Sequence, residues 1–362
     1  MKIKSLIISG ILLLSLFFGS IADAQVHEIL LGKVGHPLYT LTITGSGDGT
    51  GTVTGSMNCT STAGEESGVC SQQYPMGAIV TLTPTAISGS MFNGWTGSGC
   101  TGTGACSILI DGNKTVDAEF LVFPYFNDLV AFYKVNEGSG TTVANSASPT
   151  DLAKKWPDLT VYGNLDYFWN TLSGFGTGAS TVYCYTDNGS AIGFGPKASI
   201  GGFKRYRSQS GTYTISMVAA TSGTATNHNM SDDLYGGASR VDYGLRINNS
   251  GVAKTYNQFL YATQLNKWVF VFSIVDLPNN KLYIHVVRDD GVRIIGTTTG
   301  SYTEVTYSPR YFKLFRFDAT YYWNGQIGDF VAYHNRYLTE ADFAIIYDKL
   351  RTRYGMAARS GW

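Results

Sequence analysis

The chain has 362 residues with 26 Lys and Arg against 26 Asp and Glu, so its formal net charge is zero and it has no whole-protein field for nucleic acid or an anionic membrane. Hydrophobic residues make up 44% and charged residues 14%, which is too apolar and too weakly charged for a disordered chain. Its 43 Gly, 24 Tyr and 19 Phe beside only 9 Pro favour strands and turns, and its length favours about two domains.

The N-terminal 24 residues have the pattern of a secretory signal peptide. Lys2 and Lys4 precede an apolar run from Leu6 to Phe18, and Ala22-Asp23-Ala24 has the A-x-A form of a cleavage site. The apolar run is shorter than the roughly 20 residues that a spanning helix needs, which disfavours an uncleaved anchor. We therefore expect cleavage near Ala24, no membrane insertion, and a secreted or cell-surface protein whose residues 25–37 form an N-terminal segment.

Export makes the five cysteines informative, because disulfides persist outside the cytosol. Four cysteines close together in the sequence allow three pairings, and the short separations favour Cys59–Cys70 and Cys100–Cys106. A zinc site is the alternative, but no His lies between Cys59 and Cys106, and neither pair has CxxC spacing. Cys184 lies in an aromatic, strand-like run and is predicted to be a buried, inert thiol.

Residues 38–121 alternate short strand patterns with Gly-rich turns. Pro84 is expected to end its strand, and Trp95 is expected to pack in a core rather than to offer an exposed platform. The turn after the first strand carries Asp48 among four glycines. The predicted strands are Tyr39–Thr44, Thr52–Thr54, Ala78–Pro84, Met91–Trp95 and Lys114–Phe120.

This segment resembles the divergent InlB-type bacterial repeat. The resemblance rests on the order TLTITGSGDGTGTV, a Cys pair, GAIVTLTPTA, FNGWTGSGCTGTGAC and KTVDAEF. It implies a small β-grasp-like module that serves as a spacer or adhesion-associated unit and has no catalytic residues. The sequence contains one copy with no second period, so an extended stalk is not supported.

Residues 122–127 form an aromatic junction, and residues 128–356 form a second domain built mainly of strands. Turn signals such as Asp289-Asp290-Gly291 separate the strands, which favours a sandwich. The predicted strands are Leu129–Tyr133, Thr212–Ala219, Asp242–Ile247, Trp268–Val275, Lys281–Arg288, Arg293–Thr298, Tyr311–Phe317 and Gly325–His334.

One helix is predicted near the C-terminal end. Thr339 is its N-cap, acidic residues follow in the first turn, and Gly355 marks its end. An apolar stripe would face the protein, formed by Phe343, Ile346, Tyr347 and Leu350. Residues 357–362 are expected to form a tail.

The second domain resembles the LamG-like jelly-roll family of the concanavalin A-like lectin/glucanase superfamily. Its opening LVAFYKVNEGSGTTVANSASPTDL, the middle KWVFVF and the ending WNGQIGDFVAYHNRYLTEADFAIIYDKLRTRYG carry the resemblance. It implies an all-β chain: a two-sheet jelly-roll sandwich with a short C-terminal helix, preceded by the small disulfide-bearing repeat.

Catalytic motifs are missing from the sequence. Glucanases of this superfamily place two carboxylates on one strand, where alternate residues share a face. Only Glu65 and Glu66 are adjacent among the seven glutamates, and they lie between two cysteines of the small domain. The sequence also has no HExxH, G-x-S-x-G or GxxxxGK[ST] motif, so we predict a protein that is not an enzyme.

Two groups of residues are candidates for binding. Aromatic rings stack on sugars, and the candidate ligand-binding rings are Trp156, Tyr162, Tyr167 and Trp169. A polar loop with oxygen ligands forms a candidate calcium site, and its candidate ligands are Asn229, Asp232 and Asp233. The alternative is a solvated turn. No cofactor is expected to be required beyond this candidate Ca²⁺. A basic spot at Lys204, Arg205 and Arg207 is interpreted as a solvated face.

Three functions compete at this point. The leading hypothesis is a non-catalytic protein that binds a glycan or a cell-surface ligand through the rim loops of the sandwich. The second is a structural or adhesive surface component that binds protein. The third is a divergent glycan-active enzyme that uses acids from separate strands, such as Glu304, Asp318 and Asp329.

Overall fold

The structure is a computed structural model. It describes residues 36–87, 89–135, 140–149, 151–162, 175–176, 183–186, 197–206, 213–220, 228–237, 240–249, 252–261, 266–276, 278–279, 281–299, 311–314 and 325–362. Strands dominate these ranges, and no helix within them is long and apolar enough to cross a membrane.

Residues 38–122, which we call the N-terminal unit, form nine strands in two sheets. Sheet I has the strand order β5-β1-β9-β7, in which β1 and β9 are parallel, and sheet II has the antiparallel order β4-β3-β2-β6-β8. The strands are β1 Leu38–Ser46, β2 Thr50–Gly55, β3 Asn58–Thr62, β4 Glu65–Val69, β5 Ser71–Pro75, β6 Ile79–Ala86, β7 Ser90–Thr96, β8 Cys106–Leu109 and β9 Lys114–Val122.

The core of the N-terminal unit lies between these two sheets and confirms the prediction for Trp95. Its ring is buried, and its Nε1 donates a hydrogen bond to the carbonyl oxygen of Gly104 at 2.8 Å. Both predicted disulfides, Cys59–Cys70 and Cys100–Cys106, are present. The small unit therefore combines a single aromatic core with two covalent cross-links.

The prediction that Pro84 ends its strand is wrong, because β6 continues to Ala86. Pro84 pairs with Val53 of β2, whereas β8 pairs with β6 only from Ile79 to Leu82. At Pro84 the strand therefore has no described neighbour on the β8 side. An edge position of this kind accepts a residue without an amide N–H.

Residues 123–362, which we call the C-terminal unit, form a second pair of sheets. Sheet III has the order β10-β24-β15-β20-β21-β22, and β13 also pairs with β24. Sheet IV has the order β11-β12-β14-β23-β16-β17-β18-β19. Every strand pairing within these two sheets is antiparallel. The strands are β10 Leu129–Tyr133, β11 Thr142–Val143, β12 Leu159–Tyr162, β13 Phe175–Gly176, β14 Tyr183–Tyr185, β15 Lys197–Tyr206, β16 Tyr213–Ala220, β17 His228–Gly237, β18 Arg240–Asn249, β19 Val252–Tyr261, β20 Trp268–Asp276, β21 Lys281–Val287, β22 Arg293–Thr299, β23 Tyr311–Leu314 and β24 Gly325–His334.

Sheets III and IV pack face to face, which confirms the predicted all-β sandwich. Their shared core contains Val269 and Val271 of β20 together with Phe312 and Leu314 of sheet IV. Cys184 lies buried in the same core and takes part in neither disulfide, as predicted. The fold class of the chain is therefore two β-rich units, one of them a jelly-roll-type sandwich.

The second face of sheet III is also covered, which explains why β20 is apolar at almost every position. Phe270 and Phe272 point away from sheet IV into a second core. The helix α1, Glu340–Leu350, packs there through Phe343 and Tyr347. Neighbouring residues of a strand point to opposite faces, so a strand that is covered on both sides has no polar side.

The two units share this second core. Met91 and Leu121 of the N-terminal unit pack in it with Phe132 of β10. The predicted junction at residues 122–127 contributes Phe123, which is buried against Phe132 with ring centroids 5.2 Å apart. The units are thus joined by a continuous hydrophobic core rather than by the junction alone.

Candidate functional site

A rim segment of the sandwich, residues 144–149 and 151–158 between β11 and β12, is held to β10 of sheet III by the buried side chain of Asn145 and by two backbone hydrogen bonds. The backbone bonds run from the amide of Ser146 to the carbonyl oxygen of Phe132 at 2.9 Å and from the amide of Trp156 to that of Val130 at 3.0 Å. The Oδ1 of Asn145 accepts hydrogen bonds from the backbone amides of Phe132 at 2.9 Å and Ala147 at 3.0 Å. Its Nδ2 donates to the carbonyl oxygens of Val130 at 2.9 Å and Trp156 at 2.7 Å. The Asn145 side chain therefore reinforces the backbone contacts at both ends of the rim segment.

A cleft of about 670 Å³ lies between this rim segment and the N-terminal unit. One wall comes from the ends of β6 and β7 and from the loop that the Cys100–Cys106 disulfide closes, which contributes Thr103. The other wall comes from Phe126, Asn127 and the rim segment. A volume of this size falls within the range of small-ligand sites, which often lie between domains.

A second, smaller hollow of about 410 Å³ adjoins the cleft at Asn127. It is lined by charged residues, among them Asp128, Asp151 and Lys154. These charges are paired within the protein: Lys154 lies 3.5 Å from Asp151, and Arg336 donates to Asp128 from its Nε at 2.8 Å. The two adjoining hollows therefore differ in chemistry, one neutral and one ionic.

The structure places the four candidate ligand-binding rings in different environments. Trp156 is 1% exposed and packs against Phe312 with ring centroids 5.0 Å apart, so its ring fills the sandwich core instead of facing a ligand. Tyr162, at the end of β12, is 55% exposed. Tyr167 and Trp169 lie outside the described residues.

The candidate calcium residues lie in a strand and not in the polar loop that the sequence predicted. Asn229, Asp232 and Asp233 all belong to β17, which pairs with β16 and β18 along its length. Among the described residues, no group of three or more His, Cys, Asp and Glu side chains is arranged to hold a metal ion. The loop geometry behind the calcium prediction is thus absent at these positions.

The interpretation of the basic spot as a solvated face is wrong for Lys204, which is buried within β15. Arg205 is partly buried, and its Nε donates to the carbonyl oxygen of Asn266 at 2.8 Å. Arg207 lies outside the described residues. Strand β15 lies between β20 and β24 in sheet III, which explains why its basic residues are drawn into the structure.

Asp329, the described acid of the enzyme alternative, is committed to an ion pair. It is 0% exposed, and Nη1 of Arg353 contacts its two carboxylate oxygens at 2.8 and 2.7 Å. Burial raises the pKa of the Asp329 carboxyl, and the nearby charges of Arg353 and Lys134 act in the opposite direction. Glu304 and Asp318 lie outside the described residues.

The fold defines an all-β protein whose sandwich carries a cleft at its junction with a smaller disulfide-bearing unit. No protein-family model matches the sequence, and no curated protein matches it. Its resemblances to the LamG-like family and to the InlB-type repeat therefore remain predictions.

Solved structures similar to this chain include receptor-binding domains of botulinum neurotoxins. That of the C/D mosaic serotype is 9% identical, with a TM-score of 0.47 over 64% of this chain and 55% of that one. The serotype D ligand-binding domain in complex with N-acetylneuraminic acid is 12% identical, with a TM-score of 0.45 over 64% and 54%. The binding domain of neurotoxin DC in complex with rat synaptotagmin II is 12% identical, with a TM-score of 0.47 over 63% and 52%. The chain thus spans about half the length of these domains, and their ligands are properties of those proteins.

The inter-unit cleft is the feature that sequence reasoning missed. Its walls come from the end of β6 and the start of β7, from Thr103, from Phe126 and Asn127 and from the rim segment, which are far apart in the chain. A partial signal was present, because the junction at residues 122–127 is too aromatic for a loose linker and indicates two units in contact.

Proposed function

We propose that the protein is an exported, non-catalytic binding protein that recognises a glycan or a cell-surface ligand through the rim of its sandwich. The observation that carries the proposal is that the rim segment is anchored to the sandwich and still exposes side chains beside the cleft. Asn145 fixes it to sheet III, while Ser148 and Leu152 remain exposed beside the cleft. Recognition groups on a rigid scaffold lose little conformational entropy on binding.

The two disulfides support export, because disulfides form and persist in oxidising compartments. The signal peptide predicted up to Ala24 and the resemblance to the LamG-like family point in the same direction. The buried ion pair between Asp329 and Arg353 removes one acid that a glycan-active enzyme would need. Binding without chemistry is therefore the function that these residues favour.

A glycan array probed with the purified mature chain tests the proposal, in calcium-containing buffer and again in a chelator. Binding to at least one polysaccharide is expected. Loss of that binding in the chelator would show that a divalent cation takes part in binding. Failure to bind any saccharide would contradict the proposal, and release of reducing sugar from a bound polysaccharide would favour the enzyme alternative.

A second candidate function, binding of a protein partner, is favoured by an exposed apolar pair on sheet II. Ile79 of β6 is 72% exposed and lies opposite Leu109 of β8, which is 52% exposed. Exposed apolar neighbours are typical of surfaces that contact other proteins. Cross-linking of the mature chain on intact cells would identify a protein partner, and the Ile79→Ser/Leu109→Ser double variant is expected to weaken that cross-link.

A further inference from the structure

The lining of the inter-unit cleft is uncharged and combines polar with apolar side chains. Among the described residues that line it, none has an ionisable side chain, and the polar ones are Ser90, Thr103, Asn127, Ser146 and Ser148. Ser90 accepts a hydrogen bond from the amide of Thr50 at 2.8 Å. The side chains of the other four make no hydrogen bond to another described residue. Hydroxyl and amide groups both donate and accept, so all four can serve a ligand.

Apolar side chains lie at both walls of the same cleft. Ile87 of the N-terminal unit is 45% exposed and Leu152 of the rim segment is 67% exposed, while Phe126 is partly buried between the units. A ligand that covered Ile87 and Leu152 would remove apolar surface from water, which is favourable by roughly 25 cal/mol per Å². The cleft thus offers apolar and hydroxyl-binding surface side by side.

The walls of the cleft are fixed before any ligand arrives. Lys134 of the C-terminal unit is buried and donates from its Nζ to the carbonyl oxygen of Phe92, which lines the cleft. Met91 lies next to it in the core that the two units share. On the opposite wall, Asn145 holds the backbone on both sides of Ser146. A preformed cleft requires no closing movement for binding.

From these observations we propose that the cleft is the ligand site and that it takes an uncharged oligosaccharide, held by both units at once. The proposal rests on the proposed function and makes it specific for one site and one ligand class. Sugar rings present C–H faces to apolar side chains and hydroxyls to Ser, Thr and Asn side chains. A uronate carboxylate would lose water against this lining without meeting a cation, which makes acidic sugars poor ligands.

The test measures binding of defined oligosaccharides to the mature chain by titration calorimetry. The neutral probes are tetrasaccharides of glucose, xylose and mannose, and the charged probes are oligogalacturonate and oligoguluronate of the same length. Thr103→Trp and Ser148→Trp fill the cleft from opposite walls. Ser67→Trp, at an exposed position of β4 outside the cleft lining, is the matched control, and Tyr162→Ala tests the edge of sheet IV.

The expected result is that a neutral probe binds, that each cleft variant weakens it at least about tenfold, and that Ser67→Trp and Tyr162→Ala leave it unchanged. A Trp in the cleft can disturb folding, so thermal melting is recorded for each variant. The Thr103→Ala/Ser148→Ala double variant removes two hydroxyls without adding bulk and is expected to weaken binding at least about fivefold.

Two results would overturn the site while leaving the proposed function intact: binding of a neutral probe that survives every cleft variant, or binding that only Tyr162→Ala removes. Preference for the uronate probes would overturn the ligand class. Failure of every saccharide to bind the native chain would overturn the proposed function and the site together.

Discussion

At the scale of single residues, Asn145 supports one wall of the candidate site without lining the cleft itself. Its side chain satisfies two backbone amides and two carbonyl oxygens of a buried region. Removal of the side chain takes a partner from the amides of Phe132 and Ala147 and from the carbonyl oxygen of Trp156, whereas the carbonyl oxygen of Val130 keeps the amide of Trp156 at 3.0 Å. Each buried group left unsatisfied costs about 1–3 kcal/mol before relaxation.

We therefore expect Asn145→Ala to lower the free energy of unfolding by about 2–4 kcal/mol, as measured by urea denaturation. Ser148→Ala, at an exposed position of the same rim segment, is the control and should change stability by less than about 0.5 kcal/mol. Equal stability of Asn145→Ala and the native chain would show that the rim segment does not depend on this side chain.

His285 provides a pH-dependent contribution to stability. It is 4% exposed, and its ring lies 4.8 Å from that of Phe343 on α1. Burial, assisted by the charge of Arg293 and opposed by Glu340, lowers the pKa of His285 from 6.5 to about 4. The unfolded chain thus binds a proton more readily than the folded chain between these two values.

Acid therefore destabilises the folded chain through His285. Stability is unaffected by this group above pH 6.5 and falls as the pH drops from 6.5 towards 4, by about 3 kcal/mol at pH 4. The variant His285→Phe removes the titrating group, so its stability relative to the native chain should rise by that amount between pH 7 and pH 4. Parallel stability curves for the two proteins in urea denaturation would contradict the assignment.

Burial of individual side chains is also where the sequence was least informative. The sequence makes Trp156 a candidate for ligand contact and places Lys204 on a solvated face, yet both are buried. Trp156 packs against Phe312, which is more than 150 positions away in the chain, and both rings belong to the core of the sandwich. No local pattern reveals such partners, because an aromatic residue suits an exposed ring site and a sandwich core equally well.

At the scale of elements, local signals predicted the start and the buried face of helix α1. The Oγ1 of Thr339 accepts from the amide of Asp342, whose carboxylate accepts from the amide of Thr339. The sequence predicted the Thr cap and the acidic first turn, and the structure adds the reciprocal bond of a capping box. The predicted end at Gly355 is wrong for the α-helix, which stops at Leu350; Gly355, with φ of 62°, ends the 3₁₀ turn Arg351–Tyr354 that follows.

We expect Thr339→Ala to lower the free energy of unfolding by about 1 kcal/mol, because the amide of Asp342 loses the Thr339 hydroxyl that caps it. Thr339→Ser preserves the hydroxyl and should remain within a few tenths of a kcal/mol of the native chain. Thermal melting of both variants provides the measurement. Similar destabilisation by Ser and Ala would mean that packing of the Thr methyl group, rather than the cap, stabilises the helix start.

Strand positions were predicted well where the local residue pattern sets the strand bounds. They were predicted poorly where pairing with a distant strand sets them. The predicted bounds of β10 and β24 coincide with those in the structure. The continuation of β6 past Pro84 depends on where β8 stops pairing. The polar residues of β17 resembled a loop, but they pair with β16 on one side and β18 on the other. Pairing between distant strands is a tertiary effect that propensity does not report.

At the scale of the whole molecule, a buried ion pair and the carbonyl groups of β7 join the two units. Arg353 contacts Asp329 of β24 and donates from Nη2 to the carbonyl oxygen of Asn93 at 3.3 Å. Lys134 donates to the neighbouring carbonyl oxygen of Phe92. A second link between the units, Lys349 to Asp48, has a half-exposed carboxylate. The chain thus offers one buried and one exposed connection for comparison.

We expect Arg353→Met to lower the free energy of unfolding by about 3–5 kcal/mol, because it leaves the Asp329 carboxylate buried without its partner. Lys349→Met breaks the exposed connection and should cost less than about 1 kcal/mol. Urea denaturation followed separately by tryptophan fluorescence and by far-ultraviolet circular dichroism would show whether the units still unfold together. If the cleft is fixed by the buried connection, Arg353→Met separates the two transitions and weakens oligosaccharide binding, whereas Lys349→Met does neither. Coincident transitions and native binding in Arg353→Met would show that the shared hydrophobic core around Met91 and Phe132 is sufficient to hold the two walls in place.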